Sequence, residues 1–238
     1  MELKGKRAIV TGSTKGIGLA IAESLLAKGA HVLISARTAS QVEETVQRLS
    51  EIEGGRARGK ACDVGDSNQV RELVQYCLEH LGGLEILINN AGIGLFKRAA
   101  EIIPQEWDNL IRTNLNGVFY ASHFAIPEMK KSGQGFIINI SSLAGKNAFP
   151  GGTAYNASKF ALTGFSEALM QEVRHDGIQV AYVMPGSVDS WFSGNPPAGS
   201  SWKLSAQDVA DVVIDTLERH PRCLTSRIEM RPSRPPKK

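Results

Sequence analysis

Residues 7–18 read RAIVTGSTKGIG, an apolar run that leads directly into a glycine-rich turn. Gly12 permits a tight turn, Gly16 lets backbone N–H groups approach a phosphate, and Gly18 lets a helix pack closely on a strand. A helix that begins here presents free N–H groups and a partial positive charge to an anion. The stretch therefore predicts a strand, a phosphate-binding turn and a helix, although a glycine-rich turn also occurs without a ligand. The predicted phosphate-binding residues are Gly12, Ser13, Thr14, Lys15, Gly16, Ile17 and Gly18.

Short apolar runs alternate with longer helical patterns along the rest of the chain. The predicted strands are Arg7–Val10, His31–Ser35, Arg58–Asp63, Leu84–Asn89, Gly135–Ser141, Gln179–Met184 and Arg227–Met230. The predicted helices are Ile17–Lys28, Ser40–Ile52, Ser67–Leu81, Pro104–Lys131, Ala154–His175 and Ser205–His220. This alternation predicts an α/β fold of Rossmann type, a doubly wound parallel sheet of about seven strands with helices on both faces. We expect one domain over residues 1–230 and a basic, proline-containing tail over residues 231–238.

Composition excludes several classes of protein. The net charge of +3 in 238 residues gives no support for nucleic-acid binding. No apolar run is long enough to predict a membrane span, and the five His residues show no metal-site spacing. Cys62, Cys77 and Cys223 are odd in number and scattered, which predicts reduced thiols and a cytoplasmic protein. The basic tail is either solvated or a docking segment for a partner chain or an acidic ligand.

The end of the second strand bears on the choice of cofactor. A dinucleotide fold that selects NAD places an acidic residue there to bind the ribose 2′-hydroxyl, but this chain has Ala36 followed by Arg37. Arg37, with Lys15 nearby in the turn, suits a 2′-phosphate because a guanidinium donates two parallel hydrogen bonds to it. We therefore predict NADP(H) rather than NAD(H). The alternative is that Arg37 and Lys15 are surface charges that contact no ligand.

Two further strand ends suit the adenosine half of a dinucleotide. Asp63 and Val64 close the third strand, where the Asp63 carboxylate either accepts from the adenine amino group or caps a turn. Asn89 and Asn90 close the fourth strand and are followed by Ala91 and Gly92, whose small size leaves room for a ribose.

Tyr155 and Lys159 are four residues apart on a predicted helix and therefore share one face. An ammonium about 4 Å from a phenol stabilises the phenolate by roughly 4 kcal/mol at an effective dielectric constant of about 20, which predicts a Tyr155 pKa near neutrality. Ser142, at the end of the fifth strand, is placed to hydrogen-bond a substrate carbonyl. Asn114 lies inside an apolar helix, where a polar group is costly unless it binds something, such as a water in line with Lys159.

These motifs, in this order and spacing over residues 5–190, resemble the short-chain dehydrogenase/reductase family, and most of all its 3-oxoacyl-(acyl carrier protein) reductases. They are TGSTKGIG, NNAG, Asn114, Ser142, YNASK and Pro185-Gly186. The resemblance implies a catalytic tetrad of Asn114, Ser142, Tyr155 and Lys159. Tyr155 would be the general acid, Ser142 would polarise the carbonyl, Lys159 would hold the nicotinamide ribose and lower the Tyr155 pKa, and Asn114 would complete a proton relay.

The resemblance also implies the remaining cofactor contacts. Asn90, Ala91 and Gly92 would line the adenosine side, Pro185 and Gly186 would frame the nicotinamide, and Val188 would offer backbone groups to the carboxamide. The chain departs from the family in three places. Ser190 replaces the usual Thr, the segment after Val188 is short, and the usual glycine-rich closing motif is replaced by RIEMRPSRPPKK.

The resemblance implies an NADPH-dependent reductase that transfers hydride to a ketone or 3-oxoacyl carbonyl and assembles as a homo-oligomer, a dimer or a tetramer. The alternatives are an NADP-dependent alcohol dehydrogenase working in the oxidative direction and a non-catalytic NADPH-binding sensor or scaffold. Several aromatic residues either border the substrate pocket or only pack: Phe96, Phe149, Trp191, Phe192 and Trp202. His123, on an apolar helix, is predicted to be a core residue, and Trp107 and Phe119 are predicted to contribute to helix packing.

Overall fold

A parallel sheet of seven strands forms the centre of the protein, in the order β3-β2-β1-β4-β5-β6-β7. A computed structural model of the chain describes residues 1–192 and 196–236. The strands are β1 (Arg7–Thr11), β2 (His31–Ser35), β3 (Ala57–Gly59), β4 (Ile86–Asn89), β5 (Gly135–Ile140), β6 (Ile178–Pro185) and β7 (Arg227–Met230). The predicted doubly wound fold is confirmed, and β2 and β7 have the predicted bounds.

The helices cover both faces of this sheet and bury two separate cores. They are α1 (Gly16–Ala27), α2 (Ala39–Leu49), α3 (Ser67–Leu81), α4 (Pro104–Ile111), α5 (Gly117–Ser132), α6 (Thr153–Val173) and α7 (Ala206–Glu218). Val10 packs with α1, α2 and α7 on one face, whereas its neighbour Ile9 packs with α3, α5 and α6 on the other. Successive residues of a strand point to opposite faces, so a strand covered on both sides is apolar throughout.

Local sequence sets several helix ends. The Asp66 side chain caps α3 by accepting from two backbone N–H groups, and Gly82 ends the same helix in the left-handed conformation at φ 81°. Ser205 and Asp208 form a reciprocal capping box at the start of α7. Pro104 occupies the first turn of α4, where its missing N–H costs nothing.

Two predicted elements differ most from the structure. In place of the predicted strand Arg58–Asp63, β3 spans Ala57–Gly59, although backbone hydrogen bonds from Lys60 to Ile34 and from Cys62 to Ala36 continue beyond it. The predicted helix Pro104–Lys131 is divided into α4 and α5 by a π-helical turn at Arg112–Asn116. This turn places Thr113 and Asn114 among the buried residues. A π-turn inside a helix is rare and is commonly found at functional sites.

The predicted core position of His123 is wrong, because this residue is exposed. Trp107 on α4 and Phe119 on α5, which were predicted to pack on helices, are 37% and 48% exposed. His123 lies 5.6 Å from Phe119 and 5.0 Å from Phe124, measured between ring centroids. These side chains form part of an apolar surface on the side of the sheet that α5 and α6 cover.

The strand order places the ligand-binding edge. It reverses between β1 and β4, which are neighbours in the sheet although β2 and β3 follow β1 in sequence. In open α/β sheets, ligands bind beyond the carboxyl ends of the strands at such a point. Within the described part of the chain, no helix is long and apolar enough to cross a membrane.

Candidate active site

The glycine-rich turn after β1 is bound to the end of β4 by Thr11 and Asn90. Thr11 Oγ1 accepts from the backbone N–H groups of Asn90 and Ala91, both at 3.1 Å. Asn90 Nδ2 donates to the carbonyl oxygens of Thr11 at 2.9 Å and Gly12 at 3.0 Å. A Cβ on Gly18 would lie 2.4 Å from both Asn90 Nδ2 and the Gly12 carbonyl oxygen. Gly18 therefore lets α1 begin directly behind the turn, so that the helix N-terminus faces the cavity.

Ser13 and Gly18 do not reach the surface of this cavity. Ser13 is fully buried, donates through Oγ to the Val10 carbonyl oxygen at 2.7 Å, and accepts from the Ser35 backbone N–H at 2.9 Å. Its side chain therefore ties β1 to β2 and cannot contact a cofactor, which corrects the sequence-based assignment. Gly18 is also buried and supports the turn from behind.

The predicted adenosine residues line one cavity at the carboxyl ends of β1, β2 and β4. The lining includes Gly12, Thr14, Lys15, Gly16, Ile17, Arg37, Asp63, Val64, Asn90, Ala91 and Gly92. Sequence reasoning missed Thr38 and Gln41, which line the cavity beside Arg37. Thr38 precedes the first residue of α2, so the N-terminus of that helix also faces this corner. A Thr just before a helical pattern is the signal that would have identified it.

Asp63 is engaged by the protein as well as lining the cavity. Its Oδ1 accepts from the Gly65 backbone N–H at 3.0 Å, and its Oδ2 lies 3.2 Å from Arg112 Nη2. Within the chain, the Asp63 carboxylate therefore caps a turn, which is one of its two predicted roles.

Tyr155 and Ser142 meet at the far end of the cleft. Tyr155 lies in the first turn of α6 and is 7% exposed, and Ser142 follows β5 and accepts from the Ala144 backbone N–H at 3.1 Å. Burial raises the pKa of Tyr155 to about 12, and its hydrogen bond with Ser142 acts in the opposite direction. Tyr155 is therefore a phenol, a proton donor, at neutral pH.

Lys159 is buried one helical turn after Tyr155. Its Nζ donates to the Ile140 carbonyl oxygen at 3.0 Å and lies 5.8 Å from the centre of the Tyr155 ring. Burial lowers the pKa of Lys159 to about 8, so the ammonium still predominates at pH 7. The predicted near-neutral Tyr155 pKa is wrong for the chain by itself, because burial raises the pKa of the phenol.

Asn114 projects from the π-turn into the same region and is 1% exposed. Its Nδ2 donates to the Ile93 carbonyl oxygen at 2.9 Å and to Ser158 Oγ at 3.1 Å, while its Oδ1 accepts from the Ile93 backbone N–H at 2.8 Å. Both amide hydrogens are therefore used within the protein. The side chain braces α6 against the segment after β4, and the relay through a water beside Lys159 stays a prediction.

Asn156 has a supporting role that sequence reasoning missed. Its Nδ2 donates to the carbonyl oxygens of Ala144 at 2.7 Å and Asn147 at 3.1 Å, and its Oδ1 accepts from the Phe149 backbone N–H at 3.3 Å. One amide thus holds the loop between Ser142 and Phe149 on the helix that carries Tyr155. The position of Asn156 directly after Tyr155 was the available signal.

A larger cleft of about 960 Å³ surrounds the Tyr155 hydroxyl. Pro185 at the end of β6 lines it, together with Tyr155 and Lys159, and so do three residues that follow the strand: Gly186, Val188 and Ser190. The lining of this cleft shows which of the five aromatic residues border a pocket. Phe96, Phe149, Phe192 and Trp202 all line it, whereas Trp191 lines the adenosine cavity with its ring 5.5 Å from Lys15 Nζ.

The arrangement matches known proteins over nearly the whole chain. A sequence model of the short chain dehydrogenase family matches residues 6–197. An uncharacterized oxidoreductase of Staphylococcus saprophyticus is 32% identical over 232 residues, which are 98% of this chain and 99% of that protein. A metagenomic short-chain oxidoreductase solved in complex with NADP has a TM-score of 0.86 and 33% identity, covering 99% of this chain and 100% of the other. An alcohol dehydrogenase of Thermococcus sibiricus, solved with 5-hydroxy-NADP, has a TM-score of 0.91 and 26% identity, covering 98% of this chain and 99% of the other.

Proposed function

The chain belongs to the short chain dehydrogenase family, and from this premise we propose that it is an NADPH-dependent reductase that converts a ketone or 3-oxoacyl carbonyl into an alcohol. The observation that carries the proposal is the pairing of a protonated Tyr155 with Ser142 beside the buried Lys159. An acid, a carbonyl-binding hydroxyl and a cation are the three groups that reduction of a carbonyl requires from the protein.

The residues of the adenosine cavity fit NADP(H). Gly12 has φ 65°, and a Cβ there would lie 2.9 Å from Ala91 Cα, so this cradle accepts only glycine. Lys15 and Arg37 line the cavity without an acidic residue at the end of β2, as a 2′-phosphate requires. NADP-bound relatives of the same fold support this choice. When bound as NADPH, the cofactor supplies the hydride.

Each residue at the reacting end has a separate task. The Tyr155 phenol gives its proton to the carbonyl oxygen as that oxygen gains negative charge, and Ser142 donates a hydrogen bond to the same oxygen. The phenolate that remains on Tyr155 is stabilised by the Lys159 ammonium. Asn114 and Asn156 hold α6 and its neighbouring loop in place, which keeps these groups in register.

Two alternatives use the same residues differently. Run in reverse, the site oxidises an alcohol, with the Tyr155 phenolate as the base. A sensor or scaffold needs only the adenosine cavity, so the complete reacting end argues against it.

The test is NADPH consumption by the purified chain against a panel of ketones and 3-oxoacyl thioesters, with NADPH binding measured in parallel. We expect turnover of at least one carbonyl, with far less when NADH replaces NADPH. Tight NADPH binding with no turnover across a broad panel would favour the sensor.

The rate of reduction should depend on pH through Lys159. Its pKa of about 8 means that the ammonium is present below that pH and is lost as the pH rises through it. Because the ammonium stabilises the Tyr155 phenolate, kcat/KM for reduction should be flat below about pH 7 and fall above about pH 8. The Lys159→Arg variant stays charged, so its kcat/KM should not fall above about pH 8, provided that it folds and binds NADPH. A wild-type rate that rises through pH 8 would contradict this role.

We also propose that the chain forms a homo-oligomer, a dimer or tetramer, through the surface of α4, α5 and α6. Trp107, Phe119 and Phe160 are large apolar side chains on these helices, each more than a third exposed. A second copy of the same surface would cover them. Light scattering after size-exclusion chromatography should give a multiple of the 25.7 kDa chain mass, and Phe119→Asp should shift it toward the monomer. A monomeric wild type at micromolar concentration would contradict the proposal.

A further inference from the structure

We infer that the substrate is an aryl ketone, whose planar ring is held by the phenylalanines around Tyr155. This inference rests on the proposed reductase function and specifies its substrate class. It depends on three features of the cleft, namely its aromatic wall, the prolines of the segment after β7, and the partners of its charged residues.

The aromatic wall stands directly around the proposed proton donor. The centre of the Phe96 ring is 5.2 Å from that of Tyr155 at an interplanar angle of 62°, and the Phe192 ring is 5.6 Å from Tyr155. Phe149 lies 6.1 Å from Phe96 and Phe192 lies 6.3 Å from it. These separations are those of edge-to-face aromatic pairs, so a further ring placed beside Tyr155 would extend an existing cluster.

The same three phenylalanines have exposed apolar surface. Phe96, Phe149 and Phe192 are 49%, 42% and 40% exposed, although each lines the cleft. Large apolar side chains that share one concave surface mark a site for an apolar ligand. A ring next to the reacting carbonyl would cover them.

The segment after β7 also lines the cleft. The Gly186 backbone N–H donates to the Met230 carbonyl oxygen at 2.9 Å, and a Cβ on Gly186 would lie 3.3 Å from Pro232 Cδ. Pro232 and Pro235 of this segment line the cleft, together with Arg231. Part of the predicted solvated tail therefore contributes proline rings to the pocket. Lys237 and Lys238 at its end lie outside the described residues.

Three of the four charged residues that line this cleft in the described part of the chain already have a hydrogen-bond or ion-pair partner within the protein. Lys159 donates to Ile140, and Asp189 accepts from the backbone N–H groups of Ala198 and Ser200. Arg231 is paired with Glu229 at 2.9 Å, and Lys203 Nζ lies 5.9 Å from the centre of the Trp202 ring. The cleft therefore favours an uncharged aromatic group beside the carbonyl over a phosphate or carboxylate.

The experiment compares three carbonyl compounds under saturating NADPH. Acetophenone and cyclohexyl methyl ketone have the same carbon skeleton and differ only in the aromaticity of the ring, and an acetoacetyl thioester tests the 3-oxoacyl class. We expect kcat/KM for acetophenone to exceed that for the cyclohexyl ketone by about tenfold, as two edge-to-face contacts would give. Phe96→Leu should remove most of this difference, whereas Phe124→Leu, a matched change on α5 away from the cleft, should keep it.

Saturation-transfer NMR of acetophenone gives a readout that does not need turnover. It should show transfer to the aromatic protons with the wild type and with Phe124→Leu, and weaker transfer with Phe96→Leu or, should that variant not fold, with Phe149→Leu. Preference for the thioester, or equal turnover of both ketones that Phe96→Leu leaves unchanged, would overturn the aryl assignment and leave the reductase standing. NADPH binding without reduction of any carbonyl would overturn both.

Discussion

Tyr155→Phe should lower kcat for carbonyl reduction by about 10³-fold while the dissociation constant for NADPH changes less than about twofold. The substitution removes one hydroxyl from a side chain that is 7% exposed and keeps the ring that packs against Phe96 and Phe192. Because burial raises the pKa of Tyr155 to about 12, the hydroxyl is fully protonated before reaction, and the variant loses the whole donor.

The loss should appear in single-turnover rates as well as in steady state, since it affects the chemical step. Tyr120→Phe is the matched control, because Tyr120 lies on α5 and outside the residues that line the cleft. A Tyr155→Phe variant that keeps more than a tenth of wild-type kcat would show that another group donates the proton.

Arg37→Asp should reverse the choice of cofactor, lowering the ratio of kcat/KM for NADPH to that for NADH by at least about 100-fold. Charge-assisted hydrogen bonds contribute about 1.5–3 kcal/mol each, and about 1.4 kcal/mol corresponds to a tenfold change. The new carboxylate would also repel the 2′-phosphate and offer an acceptor to the 2′-hydroxyl of NADH. Arg37 lies beside Lys15 and Thr38 in the lining of the adenosine cavity, so the change acts where the two cofactors differ.

Arg174→Asp is the control for the change in net charge. Arg174 follows α6 and is exposed, with a hydrogen bond to Gln171. Arg174→Asp changes the net charge by the same amount as Arg37→Asp. It should nevertheless leave the ratio of kcat/KM for NADPH to that for NADH within about twofold, because exposed charges are screened over about 10 Å. An unchanged ratio in Arg37→Asp would mean that Arg37 is a surface charge, as the sequence alone allowed.

The sequence predicted the central strands of the sheet well, because several consecutive residues in each of them are apolar. Residues 32–34 of β2 and 86–88 of β4 are all apolar because both faces are covered, a pattern that predicts a parallel sheet. The end of β3 was mispredicted because the chain continues beside the end of β2 past Gly59 without forming a regular strand. The π-turn was missed since residues 112–116 carry no propensity signal, and backbone hydrogen bonds alone define it.

Within the site, the sequence predicted which residues lie close together, but it did not predict their burial or their hydrogen bonds. Spacing placed Tyr155 and Lys159 on one face, yet the direction of the Tyr155 pKa followed from burial, which spacing does not reveal. Ser13 lies between two cofactor-facing neighbours and was assigned with them, although its side chain bonds inward to Val10 and Ser35. The aromatic wall joins residues from three separate loops, and only the fold brings them together.

The π-turn at Arg112–Asn116 makes the length of this segment as important as its composition. A π-turn holds about one residue more than an α-helical turn, so removing one residue would let α4 and α5 join as a single regular helix. The wider turn takes up the extra residue, so α4 and α5 keep the relative rotation that they would have in one unbroken helix. Removing a residue would therefore leave both helices packed on the core while drawing Asn114 away from Ile93 and Ser158. A deletion here should impair the site more than the fold.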